Sequence, residues 1–188
     1  MIFKSRIGKH YYKMPLRNIL SLIPTKRKEF SYNFDIDMKA WYVHDTNHHT
    51  NKICGIRWGY EPFNNSVRIG WRPSSFKGLP CFQIMLYSYV NGKRVYSPVT
   101  KIMYGQKCSI EMEINDKALD KRFEYNTMYQ MAVNIKFTVH KQNEEDYECI
   151  KSVVFDEKPS TEWIFQEQPY FGGKQTAITN HYINLIRK

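Results

Sequence analysis

Hydrophobic and polar residues alternate with a period of two along most of this chain, which is the pattern of β-strands with one buried face. The clearest run covers 30–38, where apolar side chains at every second position are separated by Ser31, Asn33, Asp35 and Asp37. Similar runs lie at 54–60, 65–73, 82–102, 108–116, 128–141, 147–158 and near the end of the chain. About nine or ten strands with turn signals between them predict an all-β protein, an antiparallel β-sandwich.

Two neighbouring runs, 54–60 and 65–73, form a predicted hairpin with an unusual outer face. The side expected in the core carries Cys54, Ile56, Trp58, Tyr60, Val67, Ile69 and Trp71. The other side carries three arginines, Arg57, Arg68 and Arg72, beside Gly55, Gly59 and Gly70. Glycine weakens a strand, so its presence indicates a bulge or the close approach of another backbone or a ligand. The arginines are therefore predicted either to pair with carboxylates, for which Glu111 and Glu113 are the candidates, or to hold an anionic chain.

The dipeptide Asn91-Gly92 predicts a tight turn between two further strands. Pairing outward from it sets Tyr89 against Arg94 and Tyr87 against Tyr96, which gives a surface of tyrosine and arginine. The candidate ligand-binding residues are Arg57, Arg68, Arg72, Tyr87, Tyr89, Arg94 and Tyr96.

Positive charge is concentrated at the start of the chain. The 188 residues have a formal net charge of +10. The first 28 residues contribute 8 of this, and the other 160 are nearly neutral, with 20 basic and 18 acidic side chains. We therefore predict a basic N-terminal arm, 1–28, on a single sandwich domain, 29–188, and expect an acidic partner such as nucleic acid, an anionic polymer or an acidic protein groove. The expected contacts of the arm are Lys4, Arg6, Lys9, Lys13, Arg17, Lys26, Arg27 and Lys28.

Composition gives no support for metal, redox or membrane chemistry. The four cysteines are isolated, without a CxxC pair, and Cys54 and Cys108 fall on apolar strand faces. The stretch with His44, Asp45, His48 and His49 has no recognised ligand spacing and is interpreted as a polar bend. The chain shows neither a secretory signal nor a membrane-spanning run, so we expect synthesis in the cytoplasm, no cofactor and no membrane partner.

Several short elements resemble a family of small, poorly characterised β-sandwich proteins of gut-type bacteria and their phages. They are Gly8-Lys9-His10, Asn51-Lys52-Ile53-Cys54-Gly55, Ser66-Val67-Arg68-Ile69-Gly70-Trp71-Arg72, Asn91-Gly92-Lys93 and Pro169-Tyr170-Phe171-Gly172-Gly173. The resemblance implies a jelly-roll or concanavalin-like sandwich more firmly than any activity. Where that family follows its closing element with Ala-Pro-His-Asp, this chain has Ala177-Ile178-Thr179-Asn180. This departure weakens an enzymatic interpretation.

Three function classes remain after this reading. The leading one is a non-enzymatic binding or assembly module, such as a phage virion component, whose arm docks to a partner protein or to nucleic acid. The second is a carbohydrate-binding module that grips an acidic glycan with the arginine and tyrosine faces. The third is a polysaccharide lyase, in which Tyr87, Tyr89 or His181 would remove a proton. The Arg-x-Glu-x-Arg and Gln-x-His strands of alginate lyases are missing, so no catalytic residue is assigned.

Overall fold

Two antiparallel sheets packed face to face make up the computed structural model of this chain, which confirms the predicted β-sandwich. The structure describes residues 2–4, 7–10, 23–37, 39–40, 50–61, 63–115, 131–142, 144–170 and 182–187. The strands are β1 (Ile2–Lys4), β2 (Glu29–Ile36), β3 (Asn51–Trp58), β4 (Ser66–Phe76), β5 (Leu79–Val90), β6 (Lys93–Ile102), β7 (Cys108–Asn115), β8 (Met131–Val139), β9 (Tyr147–Phe155), β10 (Ile164–Gln166) and β11 (Tyr182–Arg187).

The sheet order brings the two ends of the chain together. One sheet has six strands in the order β1-β11-β2-β7-β8-β9, and the other has five in the order β10-β3-β4-β5-β6. Strands β3 to β6 follow each other as hairpins. The Asn91-Gly92 turn sets Tyr89 against Arg94 and Tyr87 against Tyr96, as predicted.

The core fills the space between the sheets with the side chains that the alternation placed inward. Strands β2 and β7 alternate buried and more accessible residues along their whole length. Rings from opposite sheets meet, for example Trp58 and Phe155 with centroids 5.2 Å apart. Each such large side chain contributes roughly 1.5–3 kcal/mol when it is fully buried.

Parts of the predicted N-terminal arm belong to the sandwich. Strand β1 pairs with β11, and Phe3 at its centre is buried in the core. Thr25 forms an isolated bridge with Ile164. The described cations of the arm are Lys4, Lys9, Lys26, Arg27 and Lys28, whereas Arg6, Lys13 and Arg17 lie outside the described residues. The domain boundary after residue 28 stays a prediction, but an experiment that deletes 1–28 would also remove a strand.

The cysteines behave as small buried hydrophobic groups. All four are free thiols; Cys54, Cys81 and Cys108 are buried and Cys149 is partly exposed. Burial raises the pKa of the Cys54 thiol to about 12. The predicted polar bend at His44–His49 lies outside the described residues. None of the described helical segments is long and apolar enough to span a membrane.

Candidate functional site

The outer face of the five-stranded sheet gathers all seven predicted ligand-binding residues. Cross-strand pairing sets Arg68 beside Tyr87, and Tyr87 beside Tyr96. The next row runs from Arg57 through Ser66 and Tyr89 to Arg94, and a third row holds Arg72, Gln83 and Lys101. Directly opposite side chains in such pairs lie about 5 Å apart at Cβ, so each row is a continuous strip.

A single carboxylate from outside the predicted hairpin organises the middle of this face. Glu167 follows β10, and its backbone N–H donates to the carbonyl of Gly55 at 2.7 Å. Its carboxylate contacts the Lys52 ammonium, the Arg57 Nε at 3.1 Å and an Arg68 terminal nitrogen at 3.7 Å. We call Lys52, Arg57, Arg68 and Glu167 the ionic cluster. It is nearly closed to solvent, because Glu167 is 5% and Arg68 2% exposed.

The glycines of this face are explained by the close approach of backbone. At Gly55 a Cβ atom would lie 2.3 Å from the carbonyl oxygen of Val67, and the φ of +151° lies in the range that side chains rarely adopt. The Gly55 carbonyl also accepts from the Tyr32 hydroxyl at 3.2 Å. At Gly70 a Cβ would meet the Thr50 side chain and the Asn51 carbonyl oxygen, at 2.3 and 2.6 Å. The glycines therefore allow the segments that carry and surround the ionic cluster to come together.

The predicted carboxylate partners of the arginines were wrong. Glu111 and Glu113 lie on β7, in the other sheet, paired with Ser31 and Glu29 of β2. They are exposed and point away from the core, because the alternating positions Ile110, Met112 and Ile114 fill it. The salt-bridge interpretation of Arg57 and Arg68 holds, but its carboxylate is Glu167.

Aromatic rings surround the buried guanidinium. The Arg68 Cζ lies 5.4 Å from the ring centroids of Phe63 and Tyr87 and 5.2 Å from that of Tyr89. Arg68 also donates to the Tyr87 hydroxyl at 3.0 Å. Such cation–π contacts strengthen as water is excluded, so Arg68 fixes the two tyrosines of the face.

Burial shifts the pKa of two side chains on this face, Lys52 and Tyr87. Burial lowers the pKa of Lys52, and the charge of Glu167 opposes this shift. Burial raises the pKa of the Tyr87 phenol, partly offset by Arg68. A phenol with a raised pKa stays protonated near neutral pH, so Tyr87 is a poor candidate for the proton-removing base of a lyase.

The remaining predicted ligand residues are more accessible. Arg72 is partly buried and donates from Nε to the Gln83 side-chain oxygen at 2.7 Å, while Arg94 is exposed. The Arg94 guanidinium lies 5.9 Å from the Tyr96 ring centroid, and Tyr96 is half exposed. We call Arg72, Arg94 and Tyr96, which belong to three different rows, the open group, because these side chains can meet a ligand without unpacking the ionic cluster.

The charges of the five-stranded sheet have one sign. Its strands carry seven cations and no Asp or Glu; the cations are Lys52, Arg57, Arg68, Arg72, Lys93, Arg94 and Lys101. The ionic cluster neutralises part of this charge through Glu167. The open group adds positive charge next to aromatic surface.

Three of the elements that carried the family resemblance meet beside this face, at His10, Lys52 and Tyr170. His10 stacks on Tyr170, with centroids 5.6 Å apart. The Lys52 ammonium lies 5.8 Å from the Tyr170 ring, and Tyr170 exchanges two backbone hydrogen bonds with Lys52. The start of the chain and the segment after β10 thus both lie against β3.

One aromatic residue predicted to be in the core lies elsewhere. Tyr60 is 83% exposed because β3 ends at Trp58 and Gly59, at a φ of +72°, turns the chain. The ring of Tyr60 packs against Phe165, with centroids 5.1 Å apart. Gly59, directly before Tyr60, was the residue that could have indicated a turn at this point. The alternation of apolar residues continues through it and therefore predicted a longer strand.

Within the described residues no three His, Cys, Asp or Glu side chains are placed to hold a metal ion. His181, named above as a candidate for proton removal, lies outside those residues. Comparisons with models of known protein families, with characterised proteins and with solved structures found no match to this chain. The function of the protein is therefore inferred from the site itself.

Proposed function

We propose that this protein is a non-enzymatic binding module that holds an acidic glycan across the outer face of its five-stranded sheet. The observation that carries the proposal is the charge of that sheet, whose strands have seven Lys or Arg and no Asp or Glu. A surface of one sign raises the local concentration of a ligand of the opposite sign.

The side chains of the open group favour a uronate over a simple anion as the ligand. The guanidinium fork of Arg matches a carboxylate with two parallel hydrogen bonds. Tyr96 adds a flat ring with a hydroxyl, beside Tyr87 on the same row, and such rings pack against the apolar faces of sugars. The three side chains lie on different rows of one face, on β4 and β6, and this spread suits an extended polymer.

The ionic cluster has a supporting role in this proposal. Arg68 is too buried to reach a ligand, but it holds Tyr87 and Tyr89 in place. Arg57 is held by Glu167 and by the carbonyls of Gly59 and Tyr60, at 2.9 and 2.6 Å. We therefore assign ligand contact to the open group and to Tyr87 and Tyr89. The ionic cluster positions these side chains.

The assembly role predicted from the sequence, with the arm on nucleic acid or a partner protein, ranks second. The described parts of the arm are attached to the sandwich through β1 and Thr25, which favours the sheet face as the binding element. The jelly-roll or concanavalin-like assignment stays part of the proposal. It is supported by the order of the sheets, in which β11 lies beside β2 and β10 beside β3.

A test of the proposal measures binding of the full chain to polygalacturonate, alginate and single- and double-stranded DNA over a salt series. The double substitution Arg72→Ala with Arg94→Ala removes the two arginines of the open group. Because a hydrogen bond to a charged group contributes about 1.5–3 kcal/mol, we expect each arginine to account for about 10- to 100-fold in affinity for the acidic glycan. The matched control, Lys107→Ala with Lys136→Ala, removes one exposed and one partly exposed cation elsewhere and should change affinity little.

The arm hypothesis gives a different result in the same experiment. Binding to DNA but to neither glycan, insensitive to the arginine pair and lost when Lys4, Lys9 and Lys28 are changed to Ala, would overturn the glycan proposal. Equal losses in the arginine pair and in the lysine control would also contradict it, since they would show only a general effect of net charge.

A further inference from the structure

A cavity lies at one end of the sandwich, where the β3–β4 connection meets the segment before β10. It is an open cleft of about 610 Å³. Its aromatic lining includes Tyr60, Trp163 and Phe165, and its polar lining includes Glu61, Asn64 and Thr161. The cleft is within the size range of small-molecule sites, which combine apolar walls with a few placed polar groups.

The two aromatic rings at the rim are unusually accessible. Tyr60 is 83% and Trp163 49% exposed. Large aromatic side chains of this kind contribute most to stability when buried, so two of them at the mouth of one cleft mark a binding surface. Isolated exposed apolar residues need no such explanation.

Backbone hydrogen bonds join the two segments that carry the rings. Gly59 N–H donates to the Trp163 carbonyl at 3.1 Å, and this joins the two segments directly. Ile164 and Thr25 exchange two hydrogen bonds, at 2.8 and 2.9 Å. Because the backbone on both sides of the cleft is already ordered, binding a ligand costs little backbone entropy.

The charge of the cleft differs from that of the sheet face. Among the described residues that line it, the one ionisable acid or base besides tyrosine is Glu61. Two cations border the cleft, and both are engaged. Lys26 lies over the Trp163 ring, 5.2 Å from its centroid, and pairs with Glu162 at 3.1 Å, while Arg57 donates to the carbonyls of Gly59 and Tyr60. A carboxylate, an amide and hydroxyls beside aromatic rings match a neutral ring that carries hydroxyl groups, and they disfavour an anion.

We infer that this cleft binds a neutral sugar ring, stacked on Tyr60 and Trp163, with its hydroxyls on Glu61, Asn64 and Thr161. The cleft adjoins the basic face through Arg57, which lies over the Phe165 ring at 4.8 Å. This inference deepens the proposed function and rests on it in one respect, that the neutral ring belongs to the same glycan. That glycan would contain both neutral and acidic residues.

The test uses the full chain and an array of neutral oligosaccharides, including hexamers of glucose, xylose, mannose and galactose. Binding is then quantified by calorimetry for Trp163→Ala and Tyr60→Ala. We expect the full chain to bind at least one neutral oligosaccharide and each variant to lose about 10-fold in affinity, because each substitution removes a stacking ring together with the apolar area that it buries. The matched control is Tyr104→Ala, which removes a half-exposed tyrosine from the β6–β7 connection.

The two proposals fail in distinguishable ways. Arg72→Ala with Arg94→Ala should leave the neutral oligosaccharide bound and weaken only the acidic polymer. If no neutral glycan of the array binds, or if binding is unchanged in Trp163→Ala and Tyr60→Ala, the cleft inference is overturned whatever the acidic polymer does. If neutral binding depends on the two rings and no acidic polymer binds, the cleft is a sugar site and the proposal for the sheet face is overturned.

Discussion

The two sheets of this sandwich differ in the sign and in the burial of their charged side chains. The five-stranded sheet has seven cations and no acid in its strands, and its central charges are buried around Glu167. The six-stranded sheet carries five acids and four cations in its strands. Its charges are largely on the solvent side, as in the pair of Lys136 and Glu148 at 2.7 Å. The same architecture therefore supports one face with a closed ionic cluster and one with a solvated mixture of charges.

The difference shows which charges the fold depends on. An exposed ion pair contributes about 0–1 kcal/mol, because water solvates both partners almost as well when they are apart. Removing one partner of a buried pair costs about 3–5 kcal/mol, because the remaining charge stays in a poorly solvated place. The six-stranded sheet even tolerates Glu29 directly opposite Glu113. In the ionic cluster, by contrast, three cations lie together in a poorly solvated place, and the carboxylate of Glu167 offsets their repulsion.

The largest expected effect is that of Glu167→Gln. The substitution keeps the shape of the side chain and removes the charge that Lys52, Arg57 and Arg68 share. We expect the free energy of unfolding to fall by about 3–5 kcal/mol, measured by urea denaturation at pH 7. The matched control is Glu162→Gln, whose partners Lys26 and Lys158 are exposed, and it should leave the free energy of unfolding nearly unchanged. Similar small losses in both variants would show that water reaches the cluster and would remove the contrast between the sheets.

The next effect concerns the glycine beneath the cluster. Gly55→Ala places a Cβ 2.3 Å from the Val67 carbonyl oxygen at an unfavourable φ, and we expect a loss of about 3 kcal/mol from crowding and strain together. Gly92→Ala is the matched control, since its φ is also positive, at +77°, but nothing lies within 4 Å of the added atom. It should lose only about 1–2 kcal/mol from strain. Equal losses in urea denaturation would show that the glycine is needed for its φ alone and not for the close approach.

The local pattern of the sequence predicts much of this fold. The alternation in β2, β7 and β8 identifies the buried faces, because one sheet face must avoid water. The Asn91-Gly92 turn fixes the register of β5 and β6, since a two-residue turn leaves one pairing. From that register the tyrosine and arginine rows of the site follow directly.

The parts that could not be predicted depend on distant contacts. The partner of Arg68 lies 99 positions away, at Glu167, and nothing local distinguishes this carboxylate from Glu111 or Glu113. Which strand pairs with β3 is decided when the sheet assembles. The strand that does so, β10, has only three residues, too few for an alternating pattern to identify it. The same holds for β1, whose pairing with β11 joins the two ends of the chain. The exposure of Tyr60 depends on the left-handed turn at Gly59, which a period of two does not reveal.

The smallest expected effect reverses the sign of the first. Glu113→Gln makes the same chemical change as Glu167→Gln, but on the solvated sheet, where Glu113 lies directly opposite Glu29. Because like charges on facing positions repel each other, we expect the free energy of unfolding to rise by about 0.2–1 kcal/mol. Urea denaturation at low salt should show this gain, and added salt should reduce it, since screening weakens the repulsion that the substitution removes.

The neighbouring glutamate tests whether that gain comes from the facing pair. Glu111 lies opposite Lys136 on β8 and opposite Ser31 on β2, so Glu111→Gln removes an attraction and should leave stability unchanged or slightly reduced. A gain of equal size in both variants would point to the overall charge of the sheet face instead of the pair. A loss in Glu113→Gln would mean that this carboxylate has a structural partner, and the six-stranded face would then depend on specific charges as the ionic cluster does.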